Sequence, residues 1–567
     1  MNTQARILMI LSMAVSINAA SPLLAHAQLE TGSIQQQLLQ STGSSRAWIN
    51  QFYVDRGFAP AWTARGQLTY AAEQLRRAIA TELPAHGLVA KDYWTPELES
   101  YLTTPLTGDQ WLKAELALSK AFVEASIHLN IGRLDLKALA NSANATTKTR
   151  FKDVKYERRQ FTRWADLQAA FGSEGIESVW NRLAPQHKRY QDLKIVLARL
   201  RAIQAQGGFK AIAAPGTTLK VGSTGATVQA LKVRAKLLGY PITNLDSTFD
   251  QEFSSVIRDI QAANLAEPTG YLSPRDSASW ETFSVTSERR INQVELNMEK
   301  IRWLPETLEQ RHIFVNLAIQ ELNVVDPNLT NPKLANMRVI VGQPARKTPS
   351  MRDSITDVVF NPNWTVPTTV FAEDKLSMIR DVVTQQGYAG LYPWFEQNRF
   401  TVKDGSLTQI LDPTTIDWMN LNPKTTDIYI VQAPGYMNAL GVVKIMLNNP
   451  WAIYLHDTNA RDKFAQAHRA LSSGCMRLSA PLDLAEYLLQ STSWDRTRME
   501  SLVATPDGPA PLKSTWAKPL PANKLPVYTL SVTARLGDDG VMRFTRDVYS
   551  QNLYILEALQ TAGFYKK

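Results

Sequence analysis

The sequence predicts a multidomain α+β protein with a helical N-terminal half and a β-rich C-terminal half. Apolar residues recur at three- and four-residue spacing through about residue 285, the period changes to two beyond Ile291, and a Gly/Pro/Thr stretch at 213–218 divides the helical half. At 567 residues, and with about 150 residues per domain, three or four domains are expected, each able to bury a core.

The chain opens with Arg6, an apolar run over 7–17 and a small-residue stretch ending Ala25-His26-Ala27. This reads as an export leader over 1–27 with an A-x-A cleavage site. The alternative is an uncleaved anchor, but Asn18 and Pro22 leave the apolar run short of the ~20 residues a span needs. Residues 33–212 read as a helical scaffold domain, with helices predicted over 71–81, 111–129 and 190–203 and no catalytic constellation. Its basic cluster, Lys148, Arg150, Lys152, Lys155, Arg158, Arg159 and Arg163, is interrupted by Asp153 and Glu157. Such a run is a solvated face or a site for an anionic polymer.

Residues 216–285 read as a compact helical module. Val228, Leu231, Ala235 and Leu238 share one helical face, closed by Gly239-Tyr240-Pro241, and Phe253, Val256, Ile257 and Ile260 repeat the pattern after a cap at Asp250. Sheet dominates 291–535, with strands predicted over 312–325, 337–341, 426–431, 442–447 and 451–456. In the last of these, period two sets Trp451, Ile453 and Leu455 on one face and Ala452, Tyr454 and His456 on the other. The segment 371–425 interrupts the sheet, and 536–567 is a C-terminal tail expected to pack on the scaffold or on the β-rich domain. The net charge of +9 suits an anionic partner. Behind an export leader, that partner is not expected to be nucleic acid.

Cys475 is the single cysteine. In an oxidising compartment an unpaired thiol is exposed to oxidation and can make no internal disulfide, so its presence suggests that it is used. It lies in Leu471-Ser472-Ser473-Gly474-Cys475-Met476-Arg477, downstream of Tyr454-Leu455-His456-Asp457. A histidine can take the thiol proton, and a Ser/Gly turn can aim backbone N–H groups at an incoming carbonyl. The competing reading is a buried, inert cysteine.

These residues carry a resemblance to the L,D-transpeptidase catalytic domain, also called the YkuD domain. Its signature is a strand His, then [Ser/Thr]-His-Gly-Cys, an apolar residue and Asn or Arg. Ser472, Gly474, Cys475, Met476 and Arg477 fit that pattern, whereas Ser473 replaces the usual His. Further matching segments are Asn297 to Pro305, Gly342-Gln343-Pro344 through Thr348-Pro349, Phe360 to Pro367 and Gln432 to Gly441. They resemble the large proteobacterial YcbB-type enzymes, which share the Ser-Ser-Gly-Cys form and a long His-to-Cys spacing. The 216–285 module, through its Gly222, Gly225 and Gly239 spacing, resembles the peptidoglycan-binding type 1 domain.

The resemblance implies a β-rich YkuD catalytic domain over 291–535, capped by the 371–425 insertion. It implies a periplasmic enzyme in which Cys475 is the nucleophile and His456 the base, joining stem peptides by 3→3 cross-links. Backbone N–H groups of Ser473, Gly474 and Cys475, with the Tyr454 hydroxyl, would stabilise the oxyanion. Tyr454 has a structural alternative as a packed strand residue. The Asp457 carbonyl would orient the imidazole. Arg477 either binds a substrate carboxylate or braces the Cys loop. The implied partners are peptidoglycan stem peptides and glycan, with a cell-wall synthesis complex beyond them. No metal and no cofactor is implied. A hydrolase that resolves the same thioester with water, and an inactive binding scaffold, remain the alternative functions. His468 is expected at the surface, and a helix starting at Pro481 is expected to buttress the Cys loop.

Overall fold

The computed structural model describes residues 22–42, 45–511 and 513–565. Most of the expected leader lies outside the described residues, and a helix, Pro22–Gln40, runs through the Ala25-His26-Ala27 site. Among the described residues no helix is long and apolar enough to cross a membrane.

The described residues divide into two units, the first drawn from 22–133, 159–186 and 559–565. It is helical, and its longest helix, Gln110–Ile131, is buried along most of its second half. A short ribbon of β1 (Thr63–Ala64) and β2 (Gln67–Leu68) is pinned to that helix through Glu115. The Glu115 carboxylate accepts from Tyr53 Oη at 2.7 Å, Trp62 N at 3.0 Å and Thr63 Oγ1 at 2.9 Å. Burial raises its pKa, and these donors oppose the rise. Phe52, Trp62, Phe122 and Trp180 are fully buried around it.

Residues 134–158 and 187–212 belong to the second unit. The reason lies in the helix Lys188–Ala205, whose Tyr190, Leu193, Val196, Leu197 and Leu200 are buried within that unit. There Arg302 donates to Tyr190 Oη at 2.9 Å and pairs with Glu299 at 3.3 Å. The matching segment at 297–305 is thus a buried polar seam: Asn297 Nδ2 donates to Thr533 Oγ1 at 2.9 Å, and Lys300 donates to the Ser531 carbonyl.

In the second unit the module at 216–285 contains helices Ala226–Leu237, Gln251–Ala263 and Ser277–Ser284. Its Asp250 accepts from Phe253 N at 2.7 Å as the expected cap.

The large sheet begins with β3 (His312–Asn316) and β4 (Glu321–Val325). These form a hairpin where a single strand was expected, because Gln320 takes a positive φ of 58° and reverses the chain. There follow β5 (Met337–Gly342), β6 (Met351–Phe360), β7 (Trp364–Thr365), β8 (Phe400–Asp404), β9 (Ile410–Leu411) and β10 (Ile428–Gln432). Next come β11 (Val443–Leu447), β12 (Leu455–His456), β13 (Ala470–Ser472) and β14 (Met476–Leu478). The last four are β15 (Thr515–Ala517), β16 (Pro526–Leu530), β17 (Ala534–Leu536) and β18 (Met542–Phe544).

The order β11-β12-β14-β5-β4-β3-β16-β6 closes on itself, because β6 also pairs with β11. The result is a mixed barrel whose core holds Val339, Val341, Ile355, Val358, Ile445, Leu455 and Met476. The helix Pro481–Leu489, expected beside the Cys loop, buries Leu484 and Leu488 in the same core.

Two boundaries shift. The strand expected over 426–431 is β10, which pairs with β7 and β8 rather than with the barrel. The insertion therefore spans about 364–432 rather than 371–425. It has its own sheet, β7-β10-β8-β9, and its own core around Phe371, Phe395, Phe400 and Trp418. At the C-terminus, β17 and β18 form a ribbon across the expected 535/536 boundary. That ribbon packs on the 216–285 module: Met542 N donates to Leu238 O at 2.8 Å, and Arg543 pairs with Asp259 at 2.9 Å.

Candidate active site

Parallel pairing of β12 with β14 builds the site. The register sets Leu455 beside Met476 and His456 beside Arg477. Leu455 and Met476 are fully buried in the core. Alternation then turns Tyr454, His456, Cys475 and Arg477 to the opposite face. The four line one cavity of about 280 Å³, with Trp364, Asp374 and Lys375 from the insertion and Ser472, Ser473 and Asn459 from the barrel loops.

The strand expected over 451–456 is only two residues long. Ala452 adopts φ 55°, and the Asn449 side chain takes the N–H groups of Trp451 and Ile453 at 3.1 and 3.2 Å, so this stretch is a turn. Tyr454 and His456 keep a common face, with ring centroids 5.5 Å apart. Ala452 contributes its carbonyl, which accepts from Cys475 Sγ at 3.5 Å.

His456 is almost fully buried, and its Nδ1 has no hydrogen-bond partner. Burial first, with Arg477 and Lys444, pushes its pKa down to about 3, against the carbonyls of Asp457 and Leu440. Lys444 is the neighbour of His456 in the antiparallel pairing of β11 with β12, so the imidazole stands in a row between two cations. The ring is therefore neutral at rest. Burial raises the Cys475 pKa, while the backbone and hydroxyl of Tyr454, Lys444 and Arg477 pull it down. The resting pair is a neutral thiol and a neutral imidazole. The surrounding positive charge suits an anion at this position.

Tyr454 is buried, with its own pKa raised by burial and then by the thiol. The Lys444 ammonium sits 4.0 Å from its ring centroid.

The Cys loop is fixed by hydroxyls. Gly474 has φ 115°, a conformation open to glycine. Ser472 Oγ donates to Cys475 O at 2.6 Å and accepts from Gly474 N at 3.2 Å. The Gly474 N–H is thereby engaged and is not available as an oxyanion donor, contrary to expectation. Among the described residues the N–H groups of Ser473 and Cys475 have no such acceptor. Thr348 Oγ1 donates to Gly474 O at 2.8 Å and accepts from Gly342 N at 2.8 Å. Across a trans peptide the C=O and N–H point opposite ways, so this bond turns the Cys475 N–H away from Thr348. Tyr549 Oη braces the same turn by donating to Gly342 O at 2.6 Å.

The Asp457 side chain lies outside the Cys475 cavity. Its carboxylate accepts from Val442 N at 2.9 Å, pairs with Arg461 at 2.5 Å and faces a separate cavity of about 660 Å³ that includes neither Cys475 nor His456 in its wall. Arg477 lies in the Cys475 cavity, with Nη1 3.4 Å from Thr458 Oγ1 and a buried Nε without a partner. His468 is exposed. The basic cluster disperses: Arg150 pairs with Glu557, and Lys155 stands 5.1 Å from the Trp451 ring centroid. Lys444, Lys375 and Thr348 are the site residues that sequence reasoning did not single out. Alternation along β11, with Val443, Ile445 and Leu447 inward, was the one signal that pointed to Lys444.

Comparison with known proteins places two segments. Residues 310–503 match the family model of the L,D-transpeptidase catalytic domain, and residues 47–197 match that of a scaffold domain. A Haemophilus influenzae protein provisionally named as an L,D-transpeptidase is 30% identical over 264 residues, 46% of this chain and 48% of that protein. The chain thus spans about half the length of that curated relative. Two solved structures titled L,D-transpeptidase, from Xylanimonas cellulosilytica and Stackebrandtia nassauensis, are each 12% identical. They cover 57% and 56% of this chain and 100% and 98% of their own, with TM-scores of 0.16 and 0.20, and at those scores neither bears on the fold. The strands bearing Cys475 and His456 lie within the segment that matches the L,D-transpeptidase catalytic domain model.

Proposed function

We propose that this chain is an exported, periplasmic L,D-transpeptidase that forms 3→3 cross-links in peptidoglycan by cysteine acyl transfer. The observation that carries the reading is the common face of Cys475, His456, Tyr454 and Arg477 in one cavity, with His456 held neutral by burial. The donor is a tetrapeptide stem whose bond between diaminopimelate and terminal D-Ala is cut.

In the first half, the Cys475 proton passes to His456 as sulfur bonds to the donor carbonyl carbon. The oxyanion is met by the Ser473 and Cys475 N–H groups, with Tyr454 beside them. Collapse breaks the C–N bond, D-Ala leaves with the proton from His456, and a thioester remains. In the second half, His456 takes a proton from the side-chain amine of another stem's diaminopimelate as that amine attacks. The new amide forms, and the thiol is restored with the same proton. The 216–285 module is proposed to hold the enzyme on the sacculus.

The test is incubation of the purified chain with disaccharide tetrapeptide, followed by mass spectrometry. A cross-linked dimer with loss of D-Ala is expected. A trimmed monomer alone would assign the chain as a carboxypeptidase, and unchanged substrate would refute acyl transfer.

A further inference from the structure

Lys375 ends the π-helical turn Phe371–Lys375 of the insertion, and it lines the Cys475 cavity. Single π turns inside helices concentrate at functional sites. The ammonium is half-buried, 6.0 Å from the Trp364 ring centroid and 5.6 Å from that of Phe400. Its polar contact within the protein is Met378 Sδ at 4.0 Å. The neighbouring carboxylate, Asp374, is the one acidic group in the cavity wall and is already engaged by Arg346 through bonds of 3.0 and 3.1 Å. Burial lowers the Lys375 pKa, with Asp374 acting against it. A partly desolvated ammonium without a carboxylate of its own, in a wall that also presents Arg477, is suited to an incoming anion.

We propose that Lys375 binds a carboxylate of the donor peptide, so that the insertion supplies substrate recognition as well as cover. This rests on the acyl-transfer reading above and deepens it. A tetrapeptide stem offers two carboxylates, that of the terminal D-Ala and that on diaminopimelate.

The experiment compares the full chain with Lys375→Met and Lys375→Arg on three substrates: the tetrapeptide acid, its C-terminal amide, and the analogue amidated on diaminopimelate. KM and kcat are read from release of the terminal residue. Lys375→Met is expected to raise KM for the acid about 10- to 100-fold with kcat nearly unchanged, as for loss of a charge-assisted hydrogen bond. Lys375→Arg should recover most of that loss. The amide on which Lys375→Met has no effect identifies the carboxylate. An equal KM rise on all three substrates, or none on any, would overturn the assignment. Equilibrium binding of the acid to Cys475→Ala with and without Lys375→Met separates this from the reaction itself. If wild type releases no D-Ala, the acyl-transfer reading fails; a binding loss confined to the Lys375 variant still supports the Lys375 site, and equal binding overturns it.

Discussion

Replacing Thr348 by Val removes one hydroxyl and keeps the shape of the side chain. Two bonds of 2.8 Å are lost, one donated to Gly474 O and one accepted from Gly342 N. Both partners are buried, and an unsatisfied buried group costs about 1–3 kcal/mol. The consequence for the reaction comes through the peptide plane. With Gly474 O released, the Cys475 N–H is no longer held toward the oxyanion, and loss of one such donor lowers kcat about 10²- to 10³-fold. Because the plane can still visit its original orientation, the expected fall in kcat is about 10- to 100-fold, with KM within about twofold. Thr348→Ser, which restores the hydroxyl, should recover most of the rate. The assay is steady-state release of D-Ala from disaccharide tetrapeptide, with circular dichroism as a check on folding. A folded Thr348→Val enzyme with wild-type kcat would refute the role given to this hydroxyl.

Three further outcomes follow from the same geometry. Because burial holds His456 at about 3, the acid limb of kcat/KM should fall near there, and an acid limb at the ordinary imidazole value of 6.5 would contradict a neutral buried base. The sign for stability is the same: between 6.5 and about 3 the unfolded chain takes a proton on this histidine that the folded one does not, so stability is lost as pH falls through that window. His456→Gln should flatten this part of a denaturation series. Gly441→Ala should destabilise by at least about 1 kcal/mol, because Gly441 has φ 60° and an added Cβ would lie 2.2 Å from Asp457 Oδ2; an unchanged urea midpoint would count against that packing.

What the sequence revealed about the site was local. Tyr454 and His456 stand two residues apart, so their shared face survived even though the strand around them shrank to a turn closed by Asn449. Cys475 and Arg477 were legible for the same reason. The remaining parts arrive through pairings between distant segments. Thr348 reaches Gly474 across 126 residues, and Lys444 flanks His456 only once the β11–β12 register is known. Lys375 sits on an insertion whose sheet is completed by strands from both ends of the expected segment, which is also why its boundaries were drawn too narrowly. Asp457 was read through its carbonyl, which opposes the fall in the His456 pKa. The alternation that turns His456 to the cavity turns Asp457 away, toward Val442 and Arg461.

Intact-mass analysis of the protein after brief exposure to the tetrapeptide donor, with digestion to locate the adduct, tests the central claim most directly. The account predicts one added donor acyl group, lacking D-Ala, on the Cys475 peptide, and no adduct in Cys475→Ala. An adduct on any other residue, or D-Ala release that persists in Cys475→Ala, would contradict it.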